Sequence, residues 1–222
     1  MINFYGRKTP RKVNKNDLLS LFNDEFFFHH KNIKNFNKLI PKDSLLNLEI
    51  GFGSGENIFK SAVKYSDEFF LGCDPYLKGS LSLKKQIKQS GIKNLILTNL
   101  SFQEFFKYIK KYTFSRILIL FPDPWPKKKH MKRRIISKPF LKSLHTICNK
   151  KSKIILSSDD VNYVEQILYK FYTDKNFVLS TSLFGEKLIN SFDIVETKYY
   201  KKAKKNKKKK HIFFFIMLKH RI

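Results

Sequence analysis

Acidic residues are scarce in this chain: 18 Asp and Glu stand against 45 Lys and Arg, a formal charge of +27 over 222 residues. A field of that sign and size favours polyanions such as nucleic acid or an anionic membrane surface. Lys, Asn, Ile, Phe and Tyr are all abundant, as drift in an AT-rich genome would produce, so the clustering of the charges says more than their sum. Cysteine is nearly absent. Cys73 and Cys148 lack metal-type spacing, which argues against a disulfide framework or a thiolate metal site and for buried, reduced thiols in the cytoplasm. Long apolar runs are missing too: the longest, Ile212 to Leu218, falls far short of the ~20 residues of a membrane-spanning helix. The basic residues before Asn16 are followed by no apolar stretch, so no secretory signal and no membrane association are expected. No internal repeat is visible, and no metal is expected.

What is present is ample core material, 42% hydrophobic residues with 23 Phe, arranged in alternating strand and helix patterns. Leu45 to Ile50, Phe69 to Cys73, Asn94 to Thr98, Ile117 to Phe121 and Lys153 to Ser157 read as buried strands. Helices are predicted between them, over Glu56–Lys64, Lys78–Gln89, Phe102–Lys111, Pro139–Asn149 and, after the fifth strand, Val161–Phe171. Asp17 is read as the cap of a short helix before the first strand. Phe192–Tyr200 and His211–Lys219 read as two further strands joined by a loop of lysines from Lys201 to Lys210. The pattern predicts an α/β, Rossmann-like fold with a seven-stranded, mostly parallel sheet, an antiparallel C-terminal strand and helices on both faces. Residues 1–16 read as a flexible basic arm and 17–222 as one domain.

Two stretches carry chemistry. The first strand runs into Gly51-Phe52-Gly53-Ser54-Gly55, a turn whose glycines let backbone approach a ligand closely. Its spacing is tighter than the dinucleotide fingerprint and suits a nucleoside lacking a pyrophosphate, which in this setting is S-adenosylmethionine. Glu49 is positioned to accept from the ligand's amino group. Asp74, 19 residues after Gly55 at the end of the second strand, is where a carboxylate meets ribose hydroxyls. The second stretch, Phe121-Pro122-Asp123-Pro124-Trp125-Pro126, holds three X-Pro steps that predict a stiff, extended loop presenting one carboxylate and one indole. Six cations and His130 follow within Lys127–Arg134. Trp125 packs the loop or stacks on a base, and His130 reads as a hydrogen-bonding spectator.

Leu48 to Gly55, together with Phe121 to Arg134, resembles the bacterial tRNA (guanine-N7-)-methyltransferases, with Ser158-Asp159 and Thr197-Lys198-Tyr199 matching two later motifs. The resemblance spans about residues 45 to 219. It implies methyl transfer from S-adenosylmethionine to N7 of a guanine in the tRNA variable loop. It assigns cofactor contacts to Glu49, the loop glycines, Asp74 (glutamate in most relatives) and Ser101, with Asn99 as a nearby substitute. It puts catalysis, beside the cofactor, on Asp123. RNA contacts fall on Lys127, Lys129, His130, Lys132, Arg133 and Arg134, and substrate contacts on Asp159, Thr197, Lys198 and Tyr199. Tyr200 stands where the family has glutamate. The partners implied are tRNA and S-adenosylmethionine, for a monomer or homodimer. The alternative is an RNA-binding paralogue without turnover or with altered specificity.

Overall fold

A computed structural model describes residues 14–180, 185–205 and 212–219. Residues 1–13 of the expected basic arm and residues 206–210 of the lysine loop lie outside the described residues, whereas Asn14, Lys15 and Asn16, expected in the arm, cap and begin a helix. The chain forms two compact units that divide after Ile109.

In the N-terminal unit, β1 (Phe27–Phe28), β2 (Leu46–Ile50), β3 (Phe69–Cys73) and β4 (Leu95–Thr98) lie in the order β1-β4-β3-β2. Every pairing is parallel, with Leu48 opposite Leu71 and Leu71 opposite Ile96. Parallel pairing sends every chain reversal through a helix: α2 (Glu56–Lys64) after β2, α3 (Lys78–Ser90) after β3, and α4 (Phe102–Ile109) after β4. Strands covered on both faces need apolar residues throughout, and β2 and β3 are buried at all five positions. Leu21, Phe27, Phe52, Ile58, Phe70, Leu83 and Leu97 form the core. α1 (Lys15–Phe22) is capped by Asn14, whose Oδ1 accepts from Asn16 N–H at 2.9 Å, not by Asp17; the extended backbone of Asn14 is what a cap requires. Asp24, almost fully buried, is held by Lys84 at 3.2 Å and by Lys88, which fastens the turn after α1 to α3.

The C-terminal unit contains β5 (Arg116–Leu120), α5 (Lys138–Ile147), β6 (Lys153–Ser158), α6 (Val161–Asp174), β7 (Phe177–Leu179), α7 (Gly185–Ser191), α8 (Lys198–Lys205) and β8 (Phe213–Lys219). Its strand order is β5-β6-β8-β7; β5 and β6 are parallel, while β8 is antiparallel to both neighbours. The mostly parallel α/β architecture with an antiparallel C-terminal strand is thus present, with eight strands among the described residues where seven were expected. β1 and β7, two and three residues long, are too short to show a period. Phe192–Tyr200 is not a strand: the Thr197 hydroxyl accepts from Tyr200 N–H at 3.2 Å and starts α8, so local capping overrides the alternation of Phe192 and Ile194. Tyr200 then packs on Phe121 and Phe214, with ring centroids 5.9 and 5.3 Å apart.

Candidate functional site

The N-terminal unit gathers the cofactor candidates at the carboxyl ends of its parallel strands, where ligands of open α/β sheets bind. Gly51, Gly53 and Gly55 all have positive φ (77°, 57° and 77°), a path that side-chain-bearing residues rarely follow. Gly79, in the first turn of α3, explains how closely that helix approaches. A Cβ there would lie 1.8 Å from the Gly53 carbonyl oxygen.

Asp74 has a task the sequence did not announce. Its Oδ2 accepts from Gly53 N–H and its Oδ1 from Tyr76 N–H, both at 2.8 Å, so the carboxylate pins the glycine turn to the end of β3. A carboxylate has about four acceptor positions. The glycine turn and the start of the β3–α3 connection take two of them.

Glu49 is buried on β2 with its Oε2 accepting from Asn57 Nδ2 at 2.9 Å. Burial raises its pKa to about 8, against the opposing effect of the Asn57 bond and with added repulsion from Asp74 and Glu56. A buried acid with no cation beside it is a poor contributor to stability but a good receptor for a cationic ligand group.

Ser101 is committed elsewhere. Its N–H and hydroxyl both donate to Glu104 Oε2, at 2.8 and 2.6 Å, and Glu104 N–H reaches back to the hydroxyl at 3.4 Å, a capping box that opens α4. Asn99, immediately beyond β4, instead has a buried Oδ1 with no hydrogen-bond partner among the described residues. An orphaned buried acceptor costs about 1–3 kcal/mol unless something donates to it. An exocyclic amine would. The donors, acceptors and close backbone approach of this cradle therefore fit S-adenosylmethionine.

The C-terminal unit holds the proline loop and its basic run. Phe121 and Trp125 bracket Asp123 with left-handed backbones, φ 49° and 41°, where the X-Pro rule had predicted extended ones. At Phe121 the cause is visible: its N–H donates to both the carbonyl and the hydroxyl of Ser157 on β6, each at 3.1 Å, and the chain turns out of the sheet. Strained residues of this kind persist only where surrounding structure enforces them. Asp123 lies between them with an exposed side chain, and partial desolvation raises its pKa.

Trp125 packs against its own basic run. The Arg133 guanidinium lies 4.9 Å over its ring and His130 meets it edge-on at 5.7 Å. The His130 pKa is lowered by desolvation and by the Arg133, Lys129, Lys127 and Lys132 charges around it. Lys127, Lys129 and Lys132 are exposed along the 3-10 turn Lys128–Arg133.

Arg134 separates from this group. It is 3% exposed, so its guanidinium has no face for a phosphate. Its Nε donates to the Pro124 carbonyl at 2.6 Å, its Nη1 donates to Gln166 Oε1 at 2.7 Å, and its plane covers the Tyr163 ring at 4.7 Å. The expected RNA contact is a buried clamp on the residue after Asp123. Nothing in the run of cations distinguished it.

Asp159 follows β6 and is half-buried, beside Asp160, which caps α6 by accepting from Tyr163 N–H at 2.9 Å. Of the later motif, Lys198 and Tyr199 are exposed, while Thr197 caps α8 and Tyr200 is buried. No group of three metal-ligating side chains occurs among the described residues.

Two predictions come from the cradle. With a pKa near 8, Glu49 is mostly protonated at pH 7, and a cation bound beside it lowers that pKa. S-Adenosylmethionine binding should then release about one proton at pH 7 and tighten from pH 6 to pH 8. Calorimetry in buffers of different ionisation enthalpy reads this; Glu49→Gln should abolish it, and pH-independent affinity in the parent would exclude the role. Because its folded pKa is raised, Glu49 also withdraws stability from the unliganded protein as pH climbs from its ordinary value through 8. Second, Asn99→Ala should weaken cofactor affinity by about tenfold, the equivalent of one hydrogen bond of about 1.4 kcal/mol, and Ser101→Ala should weaken it less. Equal losses would return the contact to Ser101.

A family model described as "Putative methyltransferase" matches residues 43–213. The tRNA (guanine-N(7)-)-methyltransferase of Neorickettsia sennetsu is 33% identical over 73% of this chain and 71% of the relative. That of Wolbachia pipientis wMel is 31% identical over 75% and 73%. Among solved structures, a 16S rRNA methyltransferase, KamB, superposes with a TM-score of 0.58 over 83% of this chain and 93% of its own at 12% identity. An antibiotic-related methyltransferase gives 0.56 over 86% and 94% at 16%. These likenesses show the class I methyltransferase fold. By sequence, the chain belongs to the tRNA (guanine-N7-)-methyltransferase family.

Proposed function

We propose that this protein transfers a methyl group from S-adenosyl-L-methionine to the N7 atom of a guanine in the variable loop of tRNA. The observation that carries the reading is the loop around Asp123. Three prolines, two left-handed residues and a buried arginine fix one carboxylate beside a run of exposed cations. When bound, the cofactor supplies an electrophilic methyl group on a sulfonium. Guanine N7 has a free lone pair and no proton to lose, so no general base is required. Rate acceleration then rests on alignment and on fixed charge. Methylation leaves the purine cationic, and Asp123 and Asp159 accept from its Watson–Crick edge and hold negative charge near it. Lys127, Lys129, Lys132 and Arg133 hold phosphates, with Lys198 and Tyr199 as further substrate contacts and His130 as a neutral neighbour. The reading carries with it a cytoplasmic site of action.

The burial of Tyr200 and the capping role of Ser101 favour one alternative, an RNA-binding relative without turnover. Nucleoside analysis of tRNA from cells with and without the protein separates the two; 7-methylguanosine that persists unchanged without the protein would overturn the proposal. Asp123→Asn should keep cofactor affinity yet lose most single-turnover rate, and the parent's rate should fall at acid pH, since Asp123 protonates more readily than an ordinary aspartate. An unchanged single-turnover rate would remove Asp123 from the chemistry.

Arg134 gives a separate test. Arg134→Met should cost about 1.5–3 kcal/mol of stability through lost charged hydrogen bonds. It should lower single-turnover rate while leaving the salt dependence of tRNA binding untouched, whereas Lys132→Gln should flatten that dependence by about 0.7–0.9 in logarithmic slope. A flattened slope in Arg134→Met would make it a phosphate contact after all.

A further inference from the structure

The helix α8 carries five lysines in eight residues, and their placement is not random. At 3.6 residues per turn, Lys198, Lys201, Lys202 and Lys205 fall within an arc of about 100° and along about 10 Å of axis. Tyr200 and Ala203, the buried residues of the helix, point the opposite way. All four stripe lysines are exposed, and no acidic residue interrupts them within α8. The fifth, Lys204, lies off the stripe and pairs with Glu196.

Each i,i+3 and i,i+4 pair on the stripe joins like charges, which opposes helix formation. The helix is held against this by its Thr197 cap and by Tyr200, which stacks on Phe121 at 5.9 Å and meets Phe214 edge-on. Phe121 is the left-handed residue two positions before Asp123. The stripe is therefore fastened through one aromatic stack to the start of the loop that carries the carboxylate.

We propose that the lysine stripe of α8 is a docking surface for the phosphate backbone of RNA, aligning the substrate with the Asp123 loop; this rests on the tRNA reading above. A linear array of cations relieved of self-repulsion by a linear array of anions is the complementarity on which such binding rests. An anionic membrane is the poorer partner, because the apolar face of α8 is turned into the protein and offers nothing to acyl chains.

The test uses the full chain with tRNA as probe. The triple variant Lys201→Gln/Lys202→Gln/Lys205→Gln leaves Lys198 and the Asp123 loop intact, and glutamine is a comparable helix former. The plot of log affinity against log salt should become shallower by about two, and KM for tRNA should rise by about fivefold or more with kcat kept within about twofold. Replacing the same three lysines by arginine should restore the parent slope. An unchanged slope with helix content intact by circular dichroism overturns the proposal. So does an unchanged tRNA slope accompanied by lost binding to phosphatidylserine vesicles. If the parent methylates no tRNA yet the slope still falls in the triple variant, the surface stands and the proposed reaction falls. If tRNA is methylated and the slope is untouched, the reaction stands and the surface falls.

Discussion

A guanidinium buried to 3% exposure, with no ion-paired carboxylate among the described residues, is an expensive object, and the loop after β5 is arranged around Arg134. Arg134 recovers its desolvation from three neutral sources: the Pro124 carbonyl, the Gln166 amide oxygen and the π face of Tyr163. The first two act on different parts of the chain, since Pro124 is in the loop after β5 and Gln166 is on α6. The bond thus ties the proline loop to a helix whose own start is fixed by the Asp160 cap. Two left-handed residues, at a few kilocalories of strain between them, are tolerable only with such an anchor. Lys170, its pKa lowered by desolvation and by Arg134, closes the arrangement by donating to the Ile136 carbonyl at 2.5 Å.

The N-terminal unit solves a related problem with the opposite sign. Its glycine turn has no side chains to hold it, and Asp74 supplies the hold through Gly53 N–H. Glu49 is left in the interior with one amide bond and a raised pKa. Retaining an acid there sacrifices stability, and the sacrifice makes physical sense only if a cation arrives to offset it.

The sheet and most helices were legible because buried parallel strands announce themselves as apolar runs; β3 and α2 occupy the predicted residues. The glycine turn and the place of Asp74 at the end of β3 were legible through spacing; the bond from Gly53 N–H to Asp74 was not. What escaped has specific causes. β1 and β7 are shorter than any period. The stretch from Phe192 to Tyr200 alternates like a strand, but a threonine cap and lysine-rich helix formers decide otherwise. In the candidate site, Arg134 and Arg133 are adjacent and chemically identical, so sequence cannot say that one covers Trp125 and the other is buried on Tyr163. Likewise Ser101 matched a family position, yet Glu104 three residues on is the capping-box partner that claims its hydroxyl.

The net charge of +27 therefore divides into unlike parts. Lys84 and Lys88 compensate the buried Asp24. Lys219 donates to the His145 and Cys148 carbonyls and closes the C-terminal end of α5, where a cation also suits the helix dipole. Lys170 satisfies a loop carbonyl, and Arg134 a second one. These cations would be needed whatever the protein bound. The short run after Pro126 and the stripe on α8 differ, for their lysines are exposed and crowded among like charges. Crowding of that kind is unfavourable in the free protein and favourable only against a polyanion. It is this asymmetry, more than the total, that makes nucleic acid the partner the charge distribution fits.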